Sequence, residues 1–385
     1  MSEIKVNSIK GVGASAAAIT VNNTDGTCTA NITNKPNRNL IINGAMQVAQ
    51  RGTSSTSGGY QTVDRFLLVS SGTDEALTQA QVDVASGTTP YTLGFRKAFK
   101  ATNGNQTSGA GAADLVRFNY AIEAQDLATS GWNYTSSSSY ITLSFWIKSS
   151  VAQNFFFRLQ SQDGTSQGYV METGSLSADT WTKIIKTIPG NSNIQIDNNV
   201  EQGMKFEFVP FRGTNTTGTR PLNAWAAFDS ATTTPDSTST WYTTNDATFE
   251  ITGVQLEVGS VATDFEHRSF AQELELCKRY YQQFPQNPAD AYGPIGVGRI
   301  RNSTNAHIVL TFPEMRSSPT ATKSGNLRIL HAATGTVVNS IASSHMARST
   351  VFIEGIVSSG LAQGEGCIMT ADNDSSGKIT LSAEL

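Results

Sequence analysis

The sequence predicts an all-β protein: a jelly-roll β-sandwich, one amphipathic helix at about 270–284, and a smaller C-terminal β domain. Three observations predict it. Short apolar-alternating runs recur along most of the chain with turn-rich pieces between them, the pattern of a sandwich or jelly roll. Only 15% of residues are charged, and Ser, Thr, Asn, Gln and Gly dominate the polar remainder, which is the makeup of a hydroxyl- and amide-covered β surface. A convincing helical period is confined to one stretch, following Ser269.

In order, residues 1–39 hold two thin runs, Ile4-Lys5-Val6 and Ala18-Ile19-Thr20-Val21, among Gly, Ser, Thr and Asn. They carry too little apolar surface for a core, so the segment is either disordered or gains partners by adding strands to another chain. From Asn39 the composition changes. Asn43-Gly44 is a turn signal and Ser54 to Gly59 a loop. Arg51, Asp64 and Arg65 stand beside apolar strands, where charged residues most often form a structural clamp. Strand runs follow at 76–84, 93–101, 115–124, 140–149, 154–160, 167–172, 181–188, 204–211, 224–228 and 248–258. Tyr140 to Lys148 is the clearest: Ile141, Leu143, Phe145 and Ile147 face one way, and Tyr140, Thr142, Ser144, Trp146 and Lys148 the other. The first face is core; Trp146 on the second could meet a neighbouring protomer.

The run Phe249 to Val258 changes phase at Gly253, which reads as a bulge. After it, Ser269 and Gln272 form a Ser-x-x-Gln capping box. Phe270, Leu274, Cys277 and Tyr281 then follow at helical spacing, Tyr280 and Phe284 widen the stripe, and Pro285 ends it. Glu275 and Arg279 lie four apart in the favourable order, worth about 0.2–0.5 kcal/mol. A lone stripe must lie on a sheet or on a partner chain. Beyond a linker-like QNPADAYGP come strand runs near 292–300, 306–312, 327–331, 335–341, 350–358 and 378–384. The domain reading is thus 1–39, 40–268, 269–285 and 286–385.

Bulk properties narrow the function classes. A net charge of −4 argues against a nucleic-acid partner, which needs a basic face for phosphate. No apolar run approaches the roughly 18–20 residues of a membrane span, so no membrane insertion is expected. The N-terminus lacks the basic-then-apolar build of a signal peptide. Cys28, Cys277 and Cys367 are odd in number and far apart, which suggests neither a disulfide framework nor a metal motif, and a reducing cytoplasm as the place of synthesis.

Catalytic motifs are lacking. His267, His307, His331 and His345 are scattered without zinc-ligand pairing, and His267 reads as a turn contact. Cys277 sits on the apolar stripe and reads as core. Asp114, Glu123 and Asp126 are near one another in sequence but are more simply placed on backbone donors than in a glycosidase pair. No cofactor or metal is assigned; a structural calcium would use the Asp/Asn-rich loops at 190–199 or 372–374. The aromatics are the better lead. Sugars offer flat C–H faces to indole and phenol rings, and hydroxyls to amides. Trp132, Tyr134, Trp225, Trp241 and Tyr242 sit in polar Gly/Ser/Thr-rich contexts and are the candidate glycan-binding residues. Each equally suits a plug at a sandwich end or a subunit contact.

Several stretches together resemble tail-fibre and related virion proteins of tailed bacteriophages, of the marine podovirus type. They are NLIINGAMQVAQRG (39–52), VDRF (63–66), AIEAQDL (121–127), LSFWIKS (143–149), DTWTKI (179–184), GVQLEVGSVATDFEHRSFAQELELCKRYYQ (253–282), LTFPEMRSSPT (310–320) and SAEL (382–385), with the start MSEIKVNSI. Residues 40–268 are also similar to carbohydrate-binding jelly-roll modules. The resemblance implies two facing antiparallel sheets with Trp181 opening a core strand. It further implies a homotrimeric appendage on the phage tail, made in the host cytoplasm, bound to other tail or adaptor proteins and engaging host cell-surface polysaccharide. Ile4, Val6 and Ile9 would belong to the virion anchor, and the flank of Phe270, Leu274, Cys277 and Tyr281 to the trimer contact. No heptad or collagen-like repeat marks a long shaft. The alternatives are a purely structural head fibre or tail decoration without glycan binding, and a glycan depolymerase.

Overall fold

The computed structural model describes residues 7–10, 12, 19–21, 24, 28–30, 36–286 and 290–385. At the N-terminus, β1 (Ser8–Ile9), β2 (Ile19–Val21) and β3 (Cys28–Ala30) form a small antiparallel ribbon. Ile9 is 54% exposed on it, while Ile4 and Val6 lie outside the described residues.

The sandwich comprises β4 (Ser54–Ser55), β5 (Leu67–Ser71), β6 (Thr78–Asp83), β7 (Lys97–Thr102), β8 (Leu115–Glu123), β9 (Tyr140–Ser149), β10 (Phe156–Ser161), β11 (Gln167–Glu172), β12 (Thr182–Pro189), β13 (Gln202–Arg212), β14 (Trp225–Ala227) and β15 (Thr248–Val258). They form two six-stranded antiparallel sheets, ordered β14-β11-β10-β13-β8-β5 and β12-β9-β15-β7-β6-β4. Each run expected between 76 and 258 falls on a strand; β5 and the two-residue β4 were not expected. The alternation in β9 does what the pattern requires, burying Ile141, Leu143, Phe145 and Ile147 between the sheets. Phe145 meets Phe157 and Phe208 edge-on at 5.1 and 4.8 Å, the geometry that ring quadrupoles favour. Trp146 on the other face packs within its own chain, against Ala45, Val84, Phe95 and Ala98. Trp181 joins that outer cluster, half-buried beneath Lys148, rather than opening a core strand; β12 begins one residue later.

Gly253 is the bulge: it adopts φ +62°, and the pairing of β15 with β9 slips between Thr252 and Gln255. The freed backbone is taken up by Asn39, whose side chain donates to Val254 O and accepts from Leu256 N. One glycine thereby fixes where the chain enters the sandwich.

The helix is shorter than its period suggests. It runs from Phe270 to Lys278, opened by the Ser269–Gln272 capping box. Tyr281–Phe284 is a strand, β16, paired with the last strand of the chain. Tyr-Gln-Gln-Phe fits a period of two as well as of 3.6, and tertiary pairing decides. The carbonyls of Arg279 and Tyr280 accept from Arg316 N and Ala383 N, which ends the helix before Pro285 is reached. The expected stripe is only partly buried: Cys277 and Tyr281 are, Leu274 is half-buried, and Phe270 is 55% exposed. Glu273 is buried in its place, because its carboxylate accepts from Asn43 N at 2.5 Å and lies 3.5 Å from Arg268. Glu275 pairs with Lys278 at 2.7 Å, and Arg279 reaches instead to Glu123.

The C-terminal strands are β17 (Pro294–Asn302), β18 (Asn305–Thr311), β19 (Thr320–Ser324), β20 (Leu327–His331), β21 (Thr334–Val337), β22 (Ser340–Ser344), β23 (Thr350–Ile356), β24 (Gly366–Ala371) and β25 (Lys378–Ser382). A seven-stranded sheet, β21-β20-β24-β17-β18-β23-β22, packs on the three-stranded β16-β25-β19 around Ile300, Ile308, Ile329, Ile379 and Leu381. Its outer face carries an unusual row. Leu330, Ile368, Val297, Val309 and Phe352 are cross-strand neighbours in that order, and the last four are 38–65% exposed.

A buried polar seam joins the two parts. Glu384 accepts from Arg51 at 3.1 Å and from Arg65. Those guanidinium groups lie over the rings of Tyr281 (3.7 Å) and Tyr280 (3.4 Å). Glu123, fully buried at the end of β8, accepts from Arg279 Nε and one terminal nitrogen, both at 2.7 Å, and from Tyr280 Oη at 2.5 Å. Burial alone would raise the Glu123 carboxyl; these donors hold it below its usual range. Burial outweighs Arg51 at Asp64, which is pushed up to about 6, and raises the Tyr60 phenol to about 12. Arg51, Asp64 and Arg65 are therefore the structural clamp their setting suggested. Removing Glu384 as Glu384→Ala leaves Arg65 without its carboxylate and Arg51 with only Asp64 at 3.7 Å, and we expect a loss of about 3 kcal/mol in urea unfolding. An unchanged midpoint would contradict this role.

Candidate functional site

The five sequence-selected aromatics do not share a surface. Trp132 is 3% exposed, and Trp241 and Tyr242 are fully buried. They close the sandwich from within: Trp241 Nε1 donates to Thr248 O at 3.0 Å, and Tyr242 stacks on Phe211 at 4.3 Å. Their rings have no face free for a sugar, which corrects that expectation for these three. Tyr134 is half-buried against the core, edge-on to Trp132.

Trp225 is different. The three residues of β14 pair with β11, setting Trp225 opposite Tyr169, with ring centroids 5.2 Å apart. Its Nε1 donates to Pro189 O at 2.7 Å, pinning the ring across the edge of the sandwich. Beside it opens a cleft of about 500 Å³, lined by Thr165, Gln167, Ser192, Asn193, Gln195, Trp225, Ala226 and Ala227. The loop after β12 supplies one wall. Asn191 shapes that loop by accepting from Asn193 N at 2.9 Å, while its carbonyl accepts from Ile194 N. Across the cleft, Gly164 at φ +57° leaves room for Gln195, since a Cβ there would lie 1.5 Å from Gln195 Oε1. The side chains of Thr165, Ser192, Asn193 and Gln195 are exposed and make no hydrogen bond to the described residues. An indole with uncommitted hydroxyl and amide groups around it can stack on a ring and pair with its hydroxyls.

Trp225 and the 190–199 loop stand out in the sequence separately. Nothing local marks Thr165 and Gln167; only the pairing of β11 with β14 brings them beside the ring.

Other clefts suit a sugar less well. The 350 Å³ groove by the helix has exposed Phe270 and half-buried Leu274, but three of its four glutamines are already bonded: Gln50 to Asp64, Gln282 by donating to Pro313 O, and Gln283 by accepting from Lys378. His267 holds Leu93 O at 2.9 Å and packs on Phe95 and Phe265, a turn contact. In the 372–374 loop, Asp374 accepts from Asn326 N and Ser376 N, and Asp372 lies 3.5 Å from Arg328. Among the described residues no group of three or more His, Cys, Asp or Glu is placed to hold a metal. Cys277 and Cys367 are free and buried, and burial pushes both thiols up. Asp114 accepts from Gly111 N at 2.6 Å, Glu123 belongs to the seam, and burial raises Asp126.

No family model and no curated protein matches the chain. Among solved structures it is similar to the enzymatically active domain of tailspike protein 4 of bacteriophage CBA120, at TM-score 0.33 and 13% identity, over 58% of this chain but only 22% of that one. It is also similar to the N-terminal cellulose-binding domain of a Cellulomonas fimi glucanase, at TM-score 0.26 and 11% identity, over 56% and 99% of the two chains. A family 11 carbohydrate-binding module of a Clostridium thermocellum cellulase is similar at TM-score 0.25 and 13% identity, over 56% and 98%.

Proposed function

We propose that the chain is a bacteriophage tail appendage that adheres to a glycan on the host surface through the cleft beside Trp225, without altering that glycan chemically. The observation that carries this reading is the pinned indole flanked by Thr165, Ser192, Asn193 and Gln195, whose polar groups are uncommitted. The lining residues include no acid, so a two-carboxylate hydrolysis has no place in this cleft. In this reading the N-terminal segment, including β1 to β3, anchors the protein to the particle by strand addition. The sandwich and C-terminal sheets are then displayed outward.

Homotrimerisation belongs to the same reading, on a different face from the helix flank. The row Leu330, Ile368, Val297, Val309 and Phe352 is a contiguous apolar band on a sheet face where polar residues are the rule. Contact between copies there would remove it from water, and linked copies would multiply a weak glycan affinity.

Two outcomes test these assignments. On a glycan array, the wild type should bind a subset of surface polysaccharides, and Trp225→Ala should weaken that binding at least about tenfold. A blank array for the wild type, with the protein detected on intact particles, would favour a structural head fibre or tail decoration, and shortened polysaccharide would favour a depolymerase. In light scattering, the wild type should have the mass of an oligomer that Val297→Asp dissociates; a wild-type monomer at micromolar concentration would refute the trimer.

A further inference from the structure

On the outward face of the sheet β14-β11-β10-β13-β8-β5, four cations converge on a single carboxylate. Glu207 is fully buried; Arg158 pairs with it, Arg117 approaches to 2.8 Å, Lys205 to 3.0 Å and Arg212 to 3.8 Å. Positive charge left without a counter-charge inside a protein is costly, so such a cluster is a place for an anion.

The hydrogen bonds show the same deficit. Arg212 is 5% exposed, yet its Nε and one terminal nitrogen make no hydrogen bond, and neither does Arg117 Nε. Burial and the neighbouring cations push Lys205 down and bring Arg212 to about 10. On the same face, Asn119 stands opposite Glu207 and Gln160 opposite Lys205, and their buried amide oxygens accept nothing. The unmet groups are thus cationic donors beside neutral acceptors. An inorganic anion would satisfy only the first kind. A sugar acid satisfies both, its carboxylate on the guanidinium forks and its hydroxyls on the amides. Arg117 and Lys205, whose side chains are 24% and 18% exposed, form the solvent-reaching margin of the cluster.

We propose that this face is a second binding site, distinct from the Trp225 cleft, for an acidic sugar unit. That a polysaccharide carries the unit rests on the adhesive reading above; the pairing of carboxylate with Arg117, Arg212 and Lys205 does not.

The test is calorimetry with galacturonate, glucuronate and N-acetylneuraminate oligomers, each against its methyl ester, with sodium sulfate as the plain anion. At least one acid should bind about tenfold more tightly than its ester, and raising salt from about 50 to about 500 mM should erode the advantage. Arg212→Gln should abolish the preference. Lys205→Gln, at the margin of the cluster, should reduce it in a protein with unchanged circular dichroism. Equal binding of every acid and its ester, a preference that survives both substitutions, or sulfate binding as tightly as the acids would overturn the proposal. The two readings fail separately: an acid preference that persists in Trp225→Ala, without any neutral-glycan binding by the wild type, would sink the cleft and leave this site standing.

Discussion

The burial of Arg51 and Arg65 against Tyr281 and Tyr280, answered by Glu384 from the far end of the chain, is the constraint on which the rest of the molecule depends. Buried guanidinium groups tolerate few geometries, since each must find its acceptor and its aromatic face together. Meeting those demands draws the penultimate residue back to the entrance of the sandwich. It also draws the chain after Lys278 out of the helix, with Tyr280 in the turn and Tyr281 opening β16. Glu123 and Arg279 repeat the device on the other side of Tyr280. The helix is therefore less a prop than a hinge pin, held by its buried Glu273 and Cys277 while its apolar edge stays wet.

The sandwich itself spends its aromatic residues on closure. Trp132, Trp241 and Tyr242 stop its ends, and Trp146 and Trp181 sit under the outer covering of one sheet. What remains available to a ligand lies at a sheet edge and on the outward face of the other sheet. The edge offers amide and hydroxyl groups, and the face offers amide and cationic groups. Glu123 and Glu207, by contrast, are held by arginines, one in the seam and one on that outward face.

Much of the fold was legible because strand period and turn chemistry are local properties. Phe145 and its neighbours in β9 declare their buried face by alternation alone, and Gly253 announces its bulge by the phase change around it. The helix end was not legible, since Tyr281 to Phe284 suits either period and the decision belongs to Lys378–Ser382, about a hundred residues on. Strands β19 and β24 were overlooked, though Cys367, Met369 and Ala371 do alternate in β24. The site was legible only in fragments. A half-buried and a fully buried tryptophan look alike in a Ser/Thr-rich context, and the register of a three-residue strand distinguishes Trp225 from Trp241.

Through the seam the sandwich and the C-terminal sheets should behave as one cooperative unit. All five tryptophans lie between 132 and 241, so indole fluorescence reports the sandwich alone, whereas far-ultraviolet circular dichroism reports every strand. Followed by both signals through urea, unfolding should give coincident single transitions. A dichroism curve that breaks into two steps, only one of them matched by fluorescence, would show the two parts unfolding independently and contradict the account.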